Sequence, residues 1–374
     1  MQRIRAATKA SQAQPVAYRP AAVVMRPRVL VILGAGSTLH AGAPSTKDID
    51  DLIFGTSKEP IRSIVDRLRA QRTEGNLSSE TILAALEELD DFSVRRSHPT
   101  AWPRIGGYLT AFADWLPDFA PITDKNFLSA RAHMIGQIKN FVIDRTATAS
   151  PGKLKNFFDQ LRTVFDLTVV TLNYDDLVDR AGDWYDGFRV PVSANSAGTF
   201  DFAGFPQQSV QHPAVLLHLH GSVRFGFPPF SAEPPKNGEV VRFGGPRRGL
   251  GAMLHPPGGI SQATPIIAGD GKDRWMTRAC VPFGYYYSAF INTIQACPQV
   301  LVAGYGAGDQ HVNSWLLEEY PRLHGSRRRI VHINPALLEL PEVPECLNLR
   351  GNEGCFPPEN PDQVKRIINF LNRP

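Results

Sequence analysis

The sequence predicts an α/β protein in which a doubly wound parallel sheet carries an inserted helical layer. Two observations predict the sheet and a third the layer. Short apolar runs bounded by turn residues recur along the chain, which is how strands buried on both faces of a parallel sheet read. Those runs end in glycine or in a polar residue able to do chemistry, and strands of such sheets deliver ligand groups at their carboxyl ends. Between the first run and the second, from about residue 48 to 165, helical patterns dominate.

The first run, Val29 to Leu33, stops abruptly at Gly34 and Gly36. Glycines let a backbone approach an anion closely, and a following helix N-terminus at Ser37 and Thr38 would point N–H groups at it. The dinucleotide fingerprint G-x-G-x-x-G nevertheless fails, because Leu39 stands at its third glycine and the next glycine is Gly42. No Gly-Lys-Ser/Thr follows, so a P-loop fails too. On its own the loop fits a nucleotide site or a plain strand-to-helix turn.

Pro44 to Ile53 reads as a loop entering a short helix. Ser78 to Leu89 has a serine cap, an acid in its first turn and an apolar face. From Asn126 to Thr146, Leu128, Ala132, Ile135, Ile138 and Val142 form an apolar stripe. Ser150-Pro-Gly starts another helix with proline at its first position.

Strands are then expected at Leu167–Leu172, Ala214–Leu219, Thr264–Ala268, Gln299–Ala303 and Arg329–Ile333. Their ends carry Asn173, His220, Gly304 and Asn334. A helix after Asp309, through about Tyr320, follows the fourth, and Asn360 to Leu371 reads as a capped amphipathic helix. The Pro/Gly-rich region of about 223–263 is too long for a simple connection, so it is a functional loop, a small subdomain or partly disordered.

The chain has 374 residues, enough for one large domain with an insertion or for two domains. No apolar run approaches the ~20 residues of a membrane span. The net charge of +4 is concentrated in residues 1–28, which hold Arg3, Arg5, Lys9, Arg19, Arg26 and Arg28 and no acid. The body, 29–374, is therefore not a basic surface, and only the tail could attract nucleic acid. That tail reads as a flexible solvated leader or as an organelle transit peptide. Cys280, Cys297, Cys346 and Cys355 form no C-x-x-C pair, which argues against a zinc ribbon or a disulfide framework and for a reducing cytoplasm.

Taken together and in order, the motifs resemble the sirtuin superfamily, and most closely its bacterial Sir2-like NAD-hydrolase branch of antiphage-defence type. Gly34-Ala-Gly-Ser37 with Gly42-Ala-Pro44 is similar to the family's Gly-Ala-Gly-Ser loop and Gly-Ile-Pro segment. Thr171-Leu-Asn-Tyr-Asp175 resembles Thr-x-Asn-Tyr-Asp, and Leu219-His-Gly-Ser222 resembles the catalytic Leu-His-Gly. Gly304-Tyr305, continuing to Asp309 and Val312-Asn313, resembles the pattern near the adenosine, and His332-Ile-Asn334 the late Ile-Asn. The chain departs from the deacylating members in three places. The interval 223–263 holds no cysteine for their zinc module, Ser45-Thr-Lys47 replaces their Asp-Phe-Arg, and Gly306 replaces the serine after the tyrosine.

The resemblance implies a Rossmann-like fold that takes NAD as substrate without zinc, cleaving it to nicotinamide and ADP-ribose. In that reading His220, Asn173 and Asp175 are catalytic. Gly34, Ala35, Gly36, Ser37, Thr38 and Pro44 hold the phosphate end, with Gly304 and Tyr305 near the adenosine and Asn334 at its ribose. No metal ligand set is implied. The branch further implies a homo-oligomer gated by assembly or by a partner, such as a HerA-type DNA-translocating ATPase or a nuclease. Deacylation, ADP-ribosyl transfer and non-catalytic NAD or ADP-ribose binding are the competing expectations.

At residue level the alternatives stay open. A histidine with an ordinary pKa of about 6.5 can accept a proton near neutrality, which suits His220 as base. His218, two residues earlier, competes for the role. Asn173 could instead be a left-handed turn residue. Asp175 could be an acid in the first turn of the next helix, and Asp309 a helix cap. Tyr305 could be core.

Overall fold

The computed structural model describes residues 26–56, 61–71, 77–97, 125–189, 197–226, 240–248, 266–267, 272, 281–334, 346–350 and 356–373. Residues 1–25 of the basic tail and much of the Pro/Gly-rich region lie outside that set, as do Thr264, Pro265, Ala268, Cys280 and Cys355.

Six strands form a parallel sheet: β1 (Arg28–Leu33), β2 (Asp166–Thr171), β4 (Ala214–His218), β7 (Gln299–Ala303), β8 (Arg329–Ile333) and β9 (Cys346–Leu349). The spatial order is β4-β2-β1-β7-β8-β9. The chain therefore builds outward in one direction from β1 and in the other from β7. Between those two strands the order reverses, and open α/β sheets bind ligands at such a switch point, beyond the carboxyl ends.

Alternation along β1 explains why both faces are covered. Leu30 and Ile32 join a core with Phe283, Tyr286 and Phe290 of α7 (Phe283–Ala296). Val29, Val31 and Leu33 join a second core with Leu154, Phe157 and Leu161 of α5 (Gly152–Arg162) and Val364 and Ile367 of α10 (Pro361–Leu371). All five apolar residues of β1 after Arg28 are fully buried, each worth roughly 1.5–3 kcal/mol of transfer free energy.

The helical layer comprises α1 (Thr46–Thr56), α2 (Ile61–Gln71), α3 (Ser79–Ser97) and α4 (Lys125–Thr146), with 98–124 outside the described residues. It has its own core, in which Ile53, Ile82, Leu86, Met134 and Ile138 meet. The Ser78 hydroxyl caps α3 by accepting from the Thr81 amide (3.2 Å), and Asp50 of α1 accepts from the Ser79 amide (2.7 Å). A buried Arg131–Glu87 ion pair (3.0 Å) joins α4 to α3. Lys139, its pKa pulled down to about 8 by burial, donates to the Phe225 carbonyl (3.0 Å) and ties the layer to the chain beyond β4.

Several sequence expectations need correction. The glycine loop enters no α-helix at Ser37 and Thr38; short 3-10 turns at Ala35–Ser37 and Leu39–Ala41 precede α1. Pro151 is the N-cap of α5 and not its first helical residue. In the expected strand around Ile266, that residue makes an isolated antiparallel bridge to Gly221, outside the parallel sheet. Within the Pro/Gly-rich region, β6 (Val241–Phe243) pairs with β5 (Phe225–Gly226) on one side and with β3 (Ala197–Gly198) on the other in a small antiparallel sheet. The helix after β7 is composite: α8 (Gln310–Asn313), a π-helical stretch Ser314–Glu319, and α9 (Tyr320–His324). The sequence reading did not identify β9, α6 (Phe205–Gln211) or α7.

Candidate functional site

A cavity of about 390 Å³ opens over the switch point, roofed by the helical layer. Its floor is Gly34, Ala35 and Thr38 after β1, Asn173 and Asp175 after β2, His220 after β4, and Gly304 and Tyr305 after β7. Its roof includes Ile49, Glu80, Leu83, Ile138 and Val142, and Pro44 closes one side. The volume lies in the range of small-molecule sites.

Close backbone contact at the switch point dictates the glycines. The Gly34 amide donates to the Ala303 carbonyl (3.0 Å) and the Gly36 amide to the Gly304 carbonyl (2.9 Å). A Cβ at Gly34 would stand 2.6 Å from the Gly304 oxygen, and one at Gly304, whose φ is +61°, 2.1 Å from the Ser37 nitrogen. These contacts also revise the expected phosphate contacts. The amides of Gly34, Gly36 and Ser37 already donate to backbone carbonyls, and neither Gly36 nor Ser37 lines the cavity. The Ser37 hydroxyl donates to the Gly34 carbonyl (2.7 Å), so this residue shapes the loop from behind.

Thr38 knits the loop to the end of β2. Its hydroxyl donates to Asp175 Oδ2 (2.9 Å) and accepts from Asn173 Nδ2 (3.1 Å), while Asn173 Nδ2 also donates to the Ser37 hydroxyl (3.2 Å). Asn173 is not left-handed: among the described non-glycine residues only Ala307 has positive φ. Asp175 is not in a helix either, because only a 3-10 turn at Asp179–Ala181 follows. Its Oδ1 accepts from the Leu177 amide (3.0 Å), and burial lifts its pKa to about 6 despite that bond and the Thr38 hydroxyl.

Gly221, at φ +91°, turns the chain after His220. His220 Nε2 lies 3.1 Å from His311 Nε2 and 3.6 Å from Asp309 Oδ1. Burial, reinforced by the Lys272 ammonium, pushes the His220 pKa well below its ordinary value, so the imidazole is neutral at pH 7. His218 lies elsewhere, fully buried with its Nε2 3.0 Å from Asp179.

Asp309 occupies the N-cap position of α8, yet its side chain makes no cap bond. It accepts from Lys272 Nζ (2.7 Å), which also donates to Glu80 Oε1 (2.8 Å). Burial opposes ionisation of Asp309, but the imidazoles and the ammonium beside it bring its pKa down to about 2. Burial likewise opposes charge on Lys272, and the two carboxylates outweigh it and raise its pKa.

Tyr305 is both core and site: it is buried among apolar side chains and lines the cavity, while its hydroxyl donates to Asn313 Oδ1 (2.8 Å). Asn334 does not line the cavity; its Nδ2 donates to the Tyr305 carbonyl (3.1 Å) and braces the loop after β7. The sequence reading missed Glu80, Lys272 and His311. Only His311 carried a signal, lying two residues after Asp309 inside a motif already singled out.

No family model matches the chain, and no curated protein matches it. Solved structures of Sir2 homologues do overlap it. A mutant Sir2 homologue in complex with 2'-O-acetyl ADP ribose shares 15% identity at a TM-score of 0.44, covering 93% of this chain and 94% of the other. A Sir2 homologue–NAD complex shares 15% at 0.43, covering 92% and 90%. A Sir2 protein bound to a propionylated peptide shares 10% at 0.41, covering 92% and 93%. Values this low assign no activity, and the functional reading rests on the residues around the cavity.

Proposed function

We propose that the protein is an NAD glycohydrolase that cleaves NAD to nicotinamide and ADP-ribose in this cavity. One observation carries the reading: the glycine loop, Asn173 with Asp175, and His220, predicted at three separate strand ends, converge on one cavity at the switch point. The glycosidic bond between the ribose C1′ and nicotinamide breaks with its electron pair leaving on nicotinamide, and positive charge builds on C1′. Water adds to C1′ and gives up a proton.

Neutral His220 takes that proton through its Nε2, and the Asp309 carboxylate 3.6 Å away stabilises the imidazolium that forms. Asn173, fixed by Ser37 and Thr38, orients the ribose or the water, and Asp175 faces the developing charge. Ala35 and Thr38 lie along the phosphates, and the apolar roof of Ile49, Ile138 and Val142 excludes bulk water.

The test is release of nicotinamide and ADP-ribose from NAD by the purified protein. His220→Ala and Asn173→Ala, with folding checked by circular dichroism, lose turnover by about 10²-fold or more in this reading. Full turnover in both variants overturns it. The sequence resemblance extends the proposal to a gated effector of antiphage defence. In that setting cellular NAD falls on infection in cells carrying the parent chain and stays level with His220→Ala.

A further inference from the structure

The geometry points to a divalent transition-metal site formed by His220 Nε2, His311 Nε2 and the Asp309 carboxylate. One ligand atom from each of the three residues lies within 4.8 Å of the others. The two imidazole nitrogens are 3.1 Å apart, and His220 Nε2 is 3.6 Å from Asp309 Oδ1. Imidazole nitrogens about 2.0–2.1 Å from one ion, at angles between right-angled and tetrahedral, stand roughly 2.9–3.4 Å apart. The imidazole pair already has that spacing, and Asp309 Oδ1, 3.6 Å from His220 Nε2, stands just outside it.

The donor set selects the ion. Two imidazoles and one carboxylate suit zinc, cobalt and their neighbours, whereas magnesium and calcium prefer all-oxygen shells. His220 and Asp309 line the cavity, so a bound ion keeps open positions toward it. The Lys272 ammonium, 2.7 Å from Asp309 Oδ1, competes with an ion for that carboxylate. Lys272 has a second anchor in Glu80, 2.8 Å away, onto which it can withdraw when an ion arrives.

An ion held here occupies the Nε2 that hydrolysis uses as its base, so occupancy silences turnover. That consequence rests on the glycohydrolase reading; the metal site itself does not.

The experiment therefore reads the metal directly. Cobalt(II) titrated into the full-length protein should give the intense visible d–d bands of low coordination, saturating at one equivalent and erased by one equivalent of zinc. His311→Ala weakens binding by more than about 10-fold, beyond the lower bound for loss of an outer-shell partner. His311→Gln serves the same purpose if the alanine variant does not fold. Lys272→Met removes the competing ammonium and tightens binding. Asn173→Ala, inactive under the hydrolase reading, keeps the cobalt spectrum, so the two readings fail separately. Only the pale spectrum of free aqueous cobalt, unchanged bands in the His311 variants, or thiolate-to-cobalt charge-transfer bands marking cysteine ligation would each overturn the site.

Discussion

Two charged clusters flank the carboxyl end of β4, built on histidines two residues apart. His218 belongs to a sealed one: Asp179 lies 3.0 Å from its Nε2, 3.2 Å from Arg242 and 3.4 Å from Arg224, and Arg242 reaches Asp186 at 2.7 Å. His220 belongs to an open one, with His311, Asp309, Lys272 and Glu80 on the wall of a cavity. In the first cluster the cations hold the Asp179 carboxylate far below its ordinary pKa even though burial opposes them, and the result is a structural clasp. In the second, a buried neutral imidazole faces space that a ligand can fill. Burial alone does not distinguish a functional histidine from a structural one; access to a cavity does.

The sharpest way to break the comparison is to remove each histidine in turn. His220→Ala should cut NAD turnover by about 10²–10⁴-fold with the unfolding midpoint nearly kept. His218→Ala should do the reverse, lowering stability and leaving the kcat of the folded fraction close to that of the parent. Steady-state kinetics beside urea melts checks both, and equal kinetic losses in the two variants would dissolve the distinction.

Removing the anion of the sealed cluster is expected to cost almost as much, now as stability. Asp179→Ala leaves Arg224 and Arg242 without their shared carboxylate, and breaking a buried pair from one side costs about 3–5 kcal/mol. A urea melt that moves by less than about 1 kcal/mol would show that water replaces the lost partner.

What the sequence made legible follows the same division. The inner strands were legible because burial on both faces leaves uninterrupted apolar runs, as in Val29 to Leu33. β9 was not, since it is an edge strand of four residues with Asn348 exposed between buried Leu347 and Leu349. α7 escaped because Phe283-Gly-Tyr-Tyr-Tyr287 is apolar and aromatic on consecutive positions and shows little helical period. At the site, residues that end strands were legible from their place in the chain. Glu80 and Lys272 were not, since neither ends a strand: Glu80 reaches the cavity from the helical layer, and no turn or motif in the sequence marked Lys272. Gly36 and Ser37 show the opposite error: the motif was visible, but their amides are spent on Gly304 and Gly34.

A smaller effect tests whether the cavity stores free energy. Asp175, with a pKa of about 6 against the ordinary 3.8, binds its proton more tightly in the folded chain than in the unfolded one. Its help to folding is complete below the lower value and is lost as the pH rises through the upper one, a cost of about 3 kcal/mol at pH 7. Asp175→Asn can keep both hydrogen bonds, accepting from Leu177 and donating to Thr38. The variant should be more stable than the parent at pH 7, converge with it near pH 4, and turn over NAD more slowly. Parallel stability curves across that interval would place the titration elsewhere.

Thr38→Val gives the finest comparison, because it removes one hydroxyl and almost no volume. That hydroxyl donates to Asp175 and accepts from Asn173, so its loss leaves a buried carboxylate oxygen short of a donor and one amide hydrogen short of an acceptor. The expected destabilisation is about 1–2 kcal/mol at pH 7. It shrinks toward pH 5 as Asp175 takes up a proton and needs the donor less, which gives the effect a sign that a packing defect lacks. If the hydroxyl also orients Asn173 for chemistry, kcat falls while KM stays nearly constant, since substrate contact along the loop is retained. A rise in KM at constant kcat would instead make Thr38 a direct contact to the substrate, moving the boundary between clasp and cavity by one side chain.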